Sequence, residues 1–294
     1  MSYIVQRSEK GGDQLKWKKV MVEAERGTFE VFVKGEGPPL CVSHLYAQYN
    51  ESGDLFADCF TRTNTVFLVN LRGTGESERA VHAYQFSLLE TVFDLESIRH
   101  ALGYKTWGFA GHSTGGMIGL MYGAYASTSL KNLIIVGSAA REYFSNSPQC
   151  IYNEEHPQYQ HMQELIEKLK DPNLSKDERD KIKIQRTKLS LFRPENYDEY
   201  FTADVQKGMA VERMNFFARE VHTYDITKKL SYITTPTLIL CGKHDVQCPV
   251  EYSVEMNALI ENSKLIIFHE SNHYPFLEEQ VLYQKEVDTF LASV

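Results

Sequence analysis

The six residues Gly111-His112-Ser113-Thr114-Gly115-Gly116 put a hydroxyl where it could do covalent chemistry. They follow a run that reads as a strand (106–110) and precede one that reads as a helix (117 to about 126). A Ser on so tight a strand-to-helix turn is held out at the sheet edge, provided the residues two before and two after it lack a Cβ. Gly111 and Gly115 meet that condition. The backbone N–H of Thr114 would face the same space at the positive end of a helix, where charge developing on a reacting carbonyl oxygen is stabilised. A Ser hydroxyl is a poor nucleophile at neutral pH, so the turn also requires a base to take its proton during attack.

Such a turn needs a sheet to project from. Short apolar runs at 31–33, 40–43, 65–70, 107–110, 133–136, 237–241 and 264–268 are mostly rich in β-branched residues and bounded by Gly, Pro or Asn, so they read as strands. Several have apolar residues at consecutive positions, which implies burial on both faces, as in a parallel sheet covered by helices. Ser87-Leu88-Leu89-Glu90 reads as a capping box; Leu88, Val92, Leu95, Ile98 and Leu102 then share one face, with Gly103 as the stop. The stretch 277–291 has the same periodicity. Between about 141 and 224 charged helical patterns follow one another with no convincing strand. Asp171-Pro172-Asn173 ends one helix, and a capping box at Ser175-Lys176-Asp177-Glu178 opens another through about 189. The expected organisation is an α/β core of residues 1–140 and 226–294 with a helical lid, 141–225, inserted over its site.

This pattern resembles the capped α/β-hydrolase fold, whose order is nucleophile, acid, His. That resemblance implies a mostly parallel central sheet of about eight strands flanked by helices. Gly242-Lys243-His244-Asp245 closes one predicted strand and is similar to the family's acid loop; Ser271-Asn272-His273-Tyr274-Pro275-Phe276-Leu277-Glu278 follows another and is similar to its His loop. The implied triad is Ser113, Asp245 and His273: imidazole titrates near working pH and serves as base, and the carboxylate fixes its tautomer. Of the other candidates, His112 reads as a packed structural His, His269 ends its strand early, His244 reads as a loop residue, and Asp225 caps the return from the lid. The family's second oxyanion donor follows the strand at 40–43, usually in a His-Gly-x pattern. Here Ser43-His44-Leu45-Tyr46 assigns the backbone N–H to Tyr46, beside that of Thr114, and puts Leu45 where Gly is usual; its bulk either narrows the site or packs inward. Asn70-Leu71-Arg72-Gly73-Thr74-Gly75-Glu76-Ser77 is similar to a structural turn of the family, with Asn for Asp, and lacks the Lys of a phosphate-binding loop.

The resemblance implies a serine hydrolase cleaving a carboxylic ester, thioester or lactone through an acyl-serine. An aminopeptidase similar to the proline iminopeptidases is the alternative; it would hold a substrate amine with lid carboxylates, for which Glu212 and Glu220 are the candidates. A non-catalytic ligand-binding member of the fold is a third reading, usually marked by a lost triad residue, and none is lost here. Leu45, Phe144, Glu212, Phe216 and Glu220 are the candidate substrate contacts. No His/Cys cluster has metal-ligand spacing and no dinucleotide fingerprint follows a first strand; the chemistry needs no cofactor.

Composition sets outer bounds. The 294 residues are 43% hydrophobic and 24% charged, with a net charge of −8. An acidic balance argues against nucleic acid or an anionic membrane as partner and leaves a small molecule; it says nothing of oligomeric state. Five cysteines without a C-x-x-C pair read as free thiols in a reducing, cytoplasmic compartment. Residues 1–10 have no apolar core of a signal peptide. The uncharged stretch 106–130 is long enough to span a bilayer, but its glycines and hydroxyls fit a buried strand and helix better.

Overall fold

The computed structural model describes residues 16–202 and 204–294; the first ten residues, read above for a leader, lie outside them. The chain runs through β1 (Lys18–Ala24), β2 (Gly27–Lys34), β3 (Pro39–Val42), β4 (Ala47–Gln48), α1 (Leu55–Asp58), β5 (Thr65–Val69), α2 (Leu88–Ala101), β6 (Trp107–His112), α3 (Thr114–Ala126) and β7 (Leu130–Val136). It leaves the sheet for α4 (Tyr159–Leu169), α5 (Lys176–Lys188), α6 (Tyr197–Tyr200), β8 (Gly208–Met209) and α7 (Val211–Glu220). It returns through β9 (Thr237–Gly242), α8 (Val250–Leu259), β10 (Ser263–Phe268), α9 (Pro275–Glu278) and α10 (Gln280–Ser293).

Eight strands form one sheet in the order β1-β2-β5-β3-β6-β7-β9-β10. The first two pairings are antiparallel and the remaining five parallel. Neighbouring residues of one strand feed opposite cores. Leu133 and Ile135 pack with α2, α3 and α8, while Ile134 and Val136 pack with α1 and α10 on the other face. This explains the unbroken apolar runs. β1 was not legible as a strand: it is an edge, half-exposed, and its Lys and Glu residues break up the apolar pattern.

The two expected capping boxes differ. Around Ser175 both halves form: Glu178 N–H donates to Ser175 Oγ (3.3 Å) and Ser175 N–H to Glu178 Oε2 (2.9 Å). At Ser87 only the hydroxyl half forms, accepting Glu90 N–H at 3.3 Å. The Glu90 carboxylate pairs instead with Arg26, a stronger partner than an amide. The expected C-terminal helix is two pieces, α9 and α10, because the Glu279 carboxylate turns back to accept Glu270 N–H (2.9 Å) and the Ser271 hydroxyl (2.7 Å).

The excursion between β7 and β9 has a tied neck. Arg141 and Asp225 form an antiparallel bridge, flanked by Glu142 N–H to Tyr224 O (2.8 Å) and Ile226 N–H to Ala140 O (2.9 Å). Asp225 also accepts Thr227 N–H at 2.9 Å, capping the return. Among the described residues no helix is long and apolar enough to cross a membrane.

Candidate active site

Ser113 joins β6 to α3 with φ +57°, the one positive φ outside glycine among the described residues. L-residues hold that conformation only when the surroundings dictate it. They do: Ser113 N–H donates to Val136 O and Gly116 N–H to Ser113 O, each at 2.9 Å. A Cβ on Gly111 would run into the Gly115 carbonyl, and one on Gly115 into the Ser43 carbonyl. The turn is therefore wedged between β7 and the end of β3, with both flanking positions closed to any side chain.

The loops after β9 and β10 bring Asp245 and His273 together. The ring Nδ1 lies 3.0 Å from Asp245 Oδ1 and 2.9 Å from Oδ2, and both side chains are almost fully buried. Asp245 Oδ1 also accepts the N–H groups of Gln247 and Cys248, each at 2.8 Å. A carboxylate on Nδ1 selects the tautomer that leaves Nε2 as the basic nitrogen. The backbone of His273 is clamped from two sides. Its N–H donates to Ser190 O at 3.2 Å, and its carbonyl lies 2.8 Å from His112 Nε2. Burial holds His112 well below the ordinary histidine range, so its ring is neutral and donates there. It is packed, as expected, but against the proposed base. His269 and His244 are exposed, the latter stacked on Phe192 at 4.6 Å.

Gly137, just past β7, escaped sequence reasoning. It has φ +50°, and a Cβ there would sit 2.9 Å from Asp245 Oδ2 and 3.2 Å from His273 Nδ1. Nothing in the local pattern distinguishes it from a glycine at any strand end.

The loop after β3 is built differently. His44 Nδ1 accepts Ala47 N–H at 3.2 Å and, more weakly, Tyr46 N–H at 3.4 Å. Its Nε2 is 3.0 Å from Thr114 Oγ1. Enclosure pushes its pKa down to about 3, aided by the nearby Lys207 charge; the neutral ring therefore accepts at Nδ1 and donates from Nε2. Thr114 opens α3, where a backbone N–H has no partner within the helix. Leu45 is 1% exposed and belongs to the core, so the bulk that replaces glycine packs inward.

The far side of this loop is held by α7 and β8. Arg213, 1% exposed, donates from Nε to the Leu45 carbonyl, from Nη1 to Arg72 O (3.0 Å) and from Nη2 to Thr91 Oγ1 (2.8 Å). Burial pushes its pKa down to about 10. Next to it β8 pairs with β4, Ala210 N–H donates to Tyr46 O at 2.8 Å, and Lys207 Nζ reaches Asp54 Oδ2 at 2.5 Å. Asn70 ties the loop's exit, accepting Tyr49 N–H (2.8 Å) and donating to Glu30 Oε2 (2.6 Å). That donation to a buried carboxylate is one an ionised Asp could not make.

A family model described as the alpha/beta hydrolase fold matches residues 40–280. The chain belongs to the α/β-hydrolase fold family. A solved structure of an alpha/beta fold family hydrolase from Bacillus anthracis str. Sterne is 39% identical with a TM-score of 0.90, the match covering 94% of this chain and 99% of that one. Among curated relatives, the AB hydrolase superfamily protein YisY of Bacillus subtilis is 27% identical over 224 residues, covering 72% of this chain and 75% of the relative. A proline iminopeptidase of Heyndrickxia coagulans is 25% identical over 283 residues, covering 93% and 97%.

In this α/β hydrolase the other candidate contacts fall in different places. Phe144 packs edge-on against Tyr143 (4.4 Å) and Tyr152 (5.4 Å), and the Tyr152 hydroxyl donates to Gln247 Oε1 at 3.0 Å on the acid loop. Glu212 is exposed and lines a surface groove with Phe216, His82 and Arg219; Phe216 packs on Phe86 at 6.3 Å. Glu220 accepts Leu88 N–H at 3.1 Å, at the N-terminus of α2, and burial pushes its pKa up. Among the described residues no hydrogen bond or ion pair joins either carboxylate to Ser113, Asp245 or His273. Arg213 and Gly137, which do shape this surface, were missed. The signal for Arg213 was a cation at a core position: Ala210, Arg213, Phe217 and Val221 all point inward.

Proposed function

We propose that this hydrolase is serine-dependent and cleaves a carboxylic ester or lactone through an acyl-Ser113 intermediate. The observation that carries the reading is the His273–Asp245 pair, with Nδ1 2.9 Å from the carboxylate, together with a Ser held at φ +57° whose chain neighbour His112 has its ring 4.5 Å from that of His273. His273 Nε2 takes the hydroxyl proton as Ser113 Oγ bonds to the substrate carbonyl carbon. Thr114 N–H and Tyr46 N–H, the latter giving up its weak 3.4 Å bond to His44 Nδ1, receive the oxyanion. Collapse of the tetrahedral species breaks the bond to the alkoxide, which takes the proton from His273. Water, deprotonated by the same imidazole, then adds to the acyl carbon; the bond from that carbon to Ser113 Oγ breaks, Oγ takes the proton back from His273, and the acid leaves. The segment 141–225 acts as the lid over a small-molecule substrate and excludes water.

The aminopeptidase alternative draws support from the proline iminopeptidase relative. It requires a carboxylate pair for the substrate ammonium, because an unpaired cation is costly to bury. Glu212 on the outer groove and Glu220 at the α2 N-terminus do not supply one. The non-catalytic reading has no lost triad residue to rest on. The five cysteines are free, which suits a reducing, cytoplasmic setting.

A fluorophosphonate probe should label the wild type at Ser113. Ser113→Ala should fold, escape labelling, and lose roughly 10³-fold or more in ester turnover. Retention of more than about a tenth of wild-type activity would overturn the assignment. Prolyl anilide cleavage faster than that of a matched ester, and lost in Glu220→Gln, would promote the peptidase.

A further inference from the structure

Two cations of the 141–225 segment lie near the candidate site. Lys207 lines a cavity of about 60 Å³ together with His44, Asp54 and Tyr274, but its charge is already met by Asp54 at 2.5 Å. Arg186 is not met in this way.

Arg186 lies in the last turn of α5, just before Ser190. Ser190 docks that end of the helix onto the acid and His loops: its carbonyl accepts His273 N–H at 3.2 Å and its hydroxyl accepts Gln247 Nε2–H at 2.9 Å. The guanidinium lies within electrostatic reach of the Tyr152 side chain first and of Tyr274 and Tyr46 after it. The three tyrosines come from separate parts of the fold. Tyr274 follows the proposed base, its ring 5.3 Å from that of His273. Tyr46 sits on the oxyanion loop, 4.7 Å from His44. Tyr152 gives its own proton to Gln247 at 3.0 Å, which leaves its oxygen lone pairs free to accept from a neighbouring donor such as Arg186. Arg186 and all three tyrosines are half-buried. The tyrosines thus tie the surroundings of Arg186 to the acid loop, the His loop and the loop after β3.

Most other arginines are either paired or in water. Arg26, Arg62, Arg72, Arg99, Arg141 and Arg193 each pair with a carboxylate, Arg179 and Arg213 are taken up by carbonyls and, for Arg213, a hydroxyl, and Arg79 and Arg219 are exposed. Among the described residues Arg186 has no carboxylate within ion-pair distance. A guanidinium carries five N–H donors, and a tyrosine oxygen satisfies one or two. The remaining fork matches a carboxylate in a bidentate geometry. A single cation neutralises a monoanion, whereas a dianionic phosphate would leave charge unpaired in a partly desolvated space.

We infer that the substrate carries a carboxylate separate from the bond that is broken, and that Arg186 receives it. This rests on the serine-hydrolase reading. The test compares esters matched in shape: 4-nitrophenyl hydrogen adipate against 4-nitrophenyl hexanoate for an acyl-side carboxylate, and 4-acetoxybenzoate against 4-methylphenyl acetate for one on the leaving group. In at least one pair the anionic-to-neutral ratio of kcat/KM should exceed that of free hydroxide, and should fall about 10- to 100-fold in Arg186→Gln, mainly through KM. Arg186→Lys should restore part of the ratio. Ratios that do not change in Arg186→Gln, in an enzyme that labels with fluorophosphonate and cleaves the neutral esters, would overturn the inference and leave the hydrolase reading standing. An enzyme that neither labels nor cleaves any of the four would overturn that reading, and the inference with it.

Discussion

The half of the site carried by β6, β7, β9 and β10 and the half carried by the loop after β3 are held by different means. In the first, close backbone packing does the work. Ser113 is wedged by Gly111 and Gly115, and the Asp245–His273 pair rests on Gly137, where there is no space for a methyl group. The second is held at a distance. Its Leu45 carbonyl, its β4 strand and its Asp54 are all bound by residues more than 150 positions later, Arg213, β8 and Lys207. The difference teaches that the two proposed oxyanion donors are not equally secure. Thr114 moves only if α3 moves, whereas Tyr46 depends on where α7 and β8 sit. Nor is the segment 141–225 a detachable cover, since Ser190 also holds the His273 backbone.

The largest effect should come from the first half. Gly137→Ala adds a Cβ 2.9 Å from Asp245 Oδ2 at a φ of +50°, pushing the pair out of line. A displacement of that kind should lower kcat by about 10²-fold or more with KM little changed, read as the rate of fluorophosphonate labelling and of ester turnover. Full activity would mean that this half is softer than its packing implies.

Arg213→Met tests the second half. It frees the Leu45 loop without touching β6, β7, β9 or β10. If Tyr46 is the second oxyanion donor, part of its contribution should be lost, about 10- to 100-fold in kcat. The buried carbonyls left unmet should cost about 1–3 kcal/mol of stability each, measured by urea unfolding. Arg213→Lys should recover part of both. A stability loss with kcat intact would show that the loop holds its shape without α7.

The smallest effect is on stability against pH. The His44 pKa falls from its ordinary value near 6.5 to about 3 on folding. Below pH 6.5 the unfolded chain binds a proton that the folded protein refuses, so folding stability declines as pH drops through the window from 6.5 to about 3. His44→Gln removes that one contribution. Between pH 6 and 5 its unfolding free energy should fall less steeply than that of the wild type, by about 1.4 kcal/mol per pH unit. Equal slopes would mean that the His44 ring is open to solvent and protonates in place.

How much of this was legible depends on the range of the physics involved. Ser113, its two glycines and the strands beside them could be read because tight turns and two-faced burial leave their mark within ten residues. Asp245 and His273 could be named because their loops resemble those of a known family, although only the folded chain brings them within 2.9 Å. Ser87 and Ser175 show where local reading stops: the same four-residue pattern closes fully where nothing competes and only by half where Arg26 takes the glutamate. The direction of Leu45, the outward setting of Glu212, the cap made by Glu220, the load on Arg213 and the unpaired charge of Arg186 were decided by the tertiary structure alone. Each depends on which distant groups arrive beside it. Backbone conformation and hydrophobic period are properties of neighbours in sequence, whereas charge pairing and burial are properties of neighbours in space.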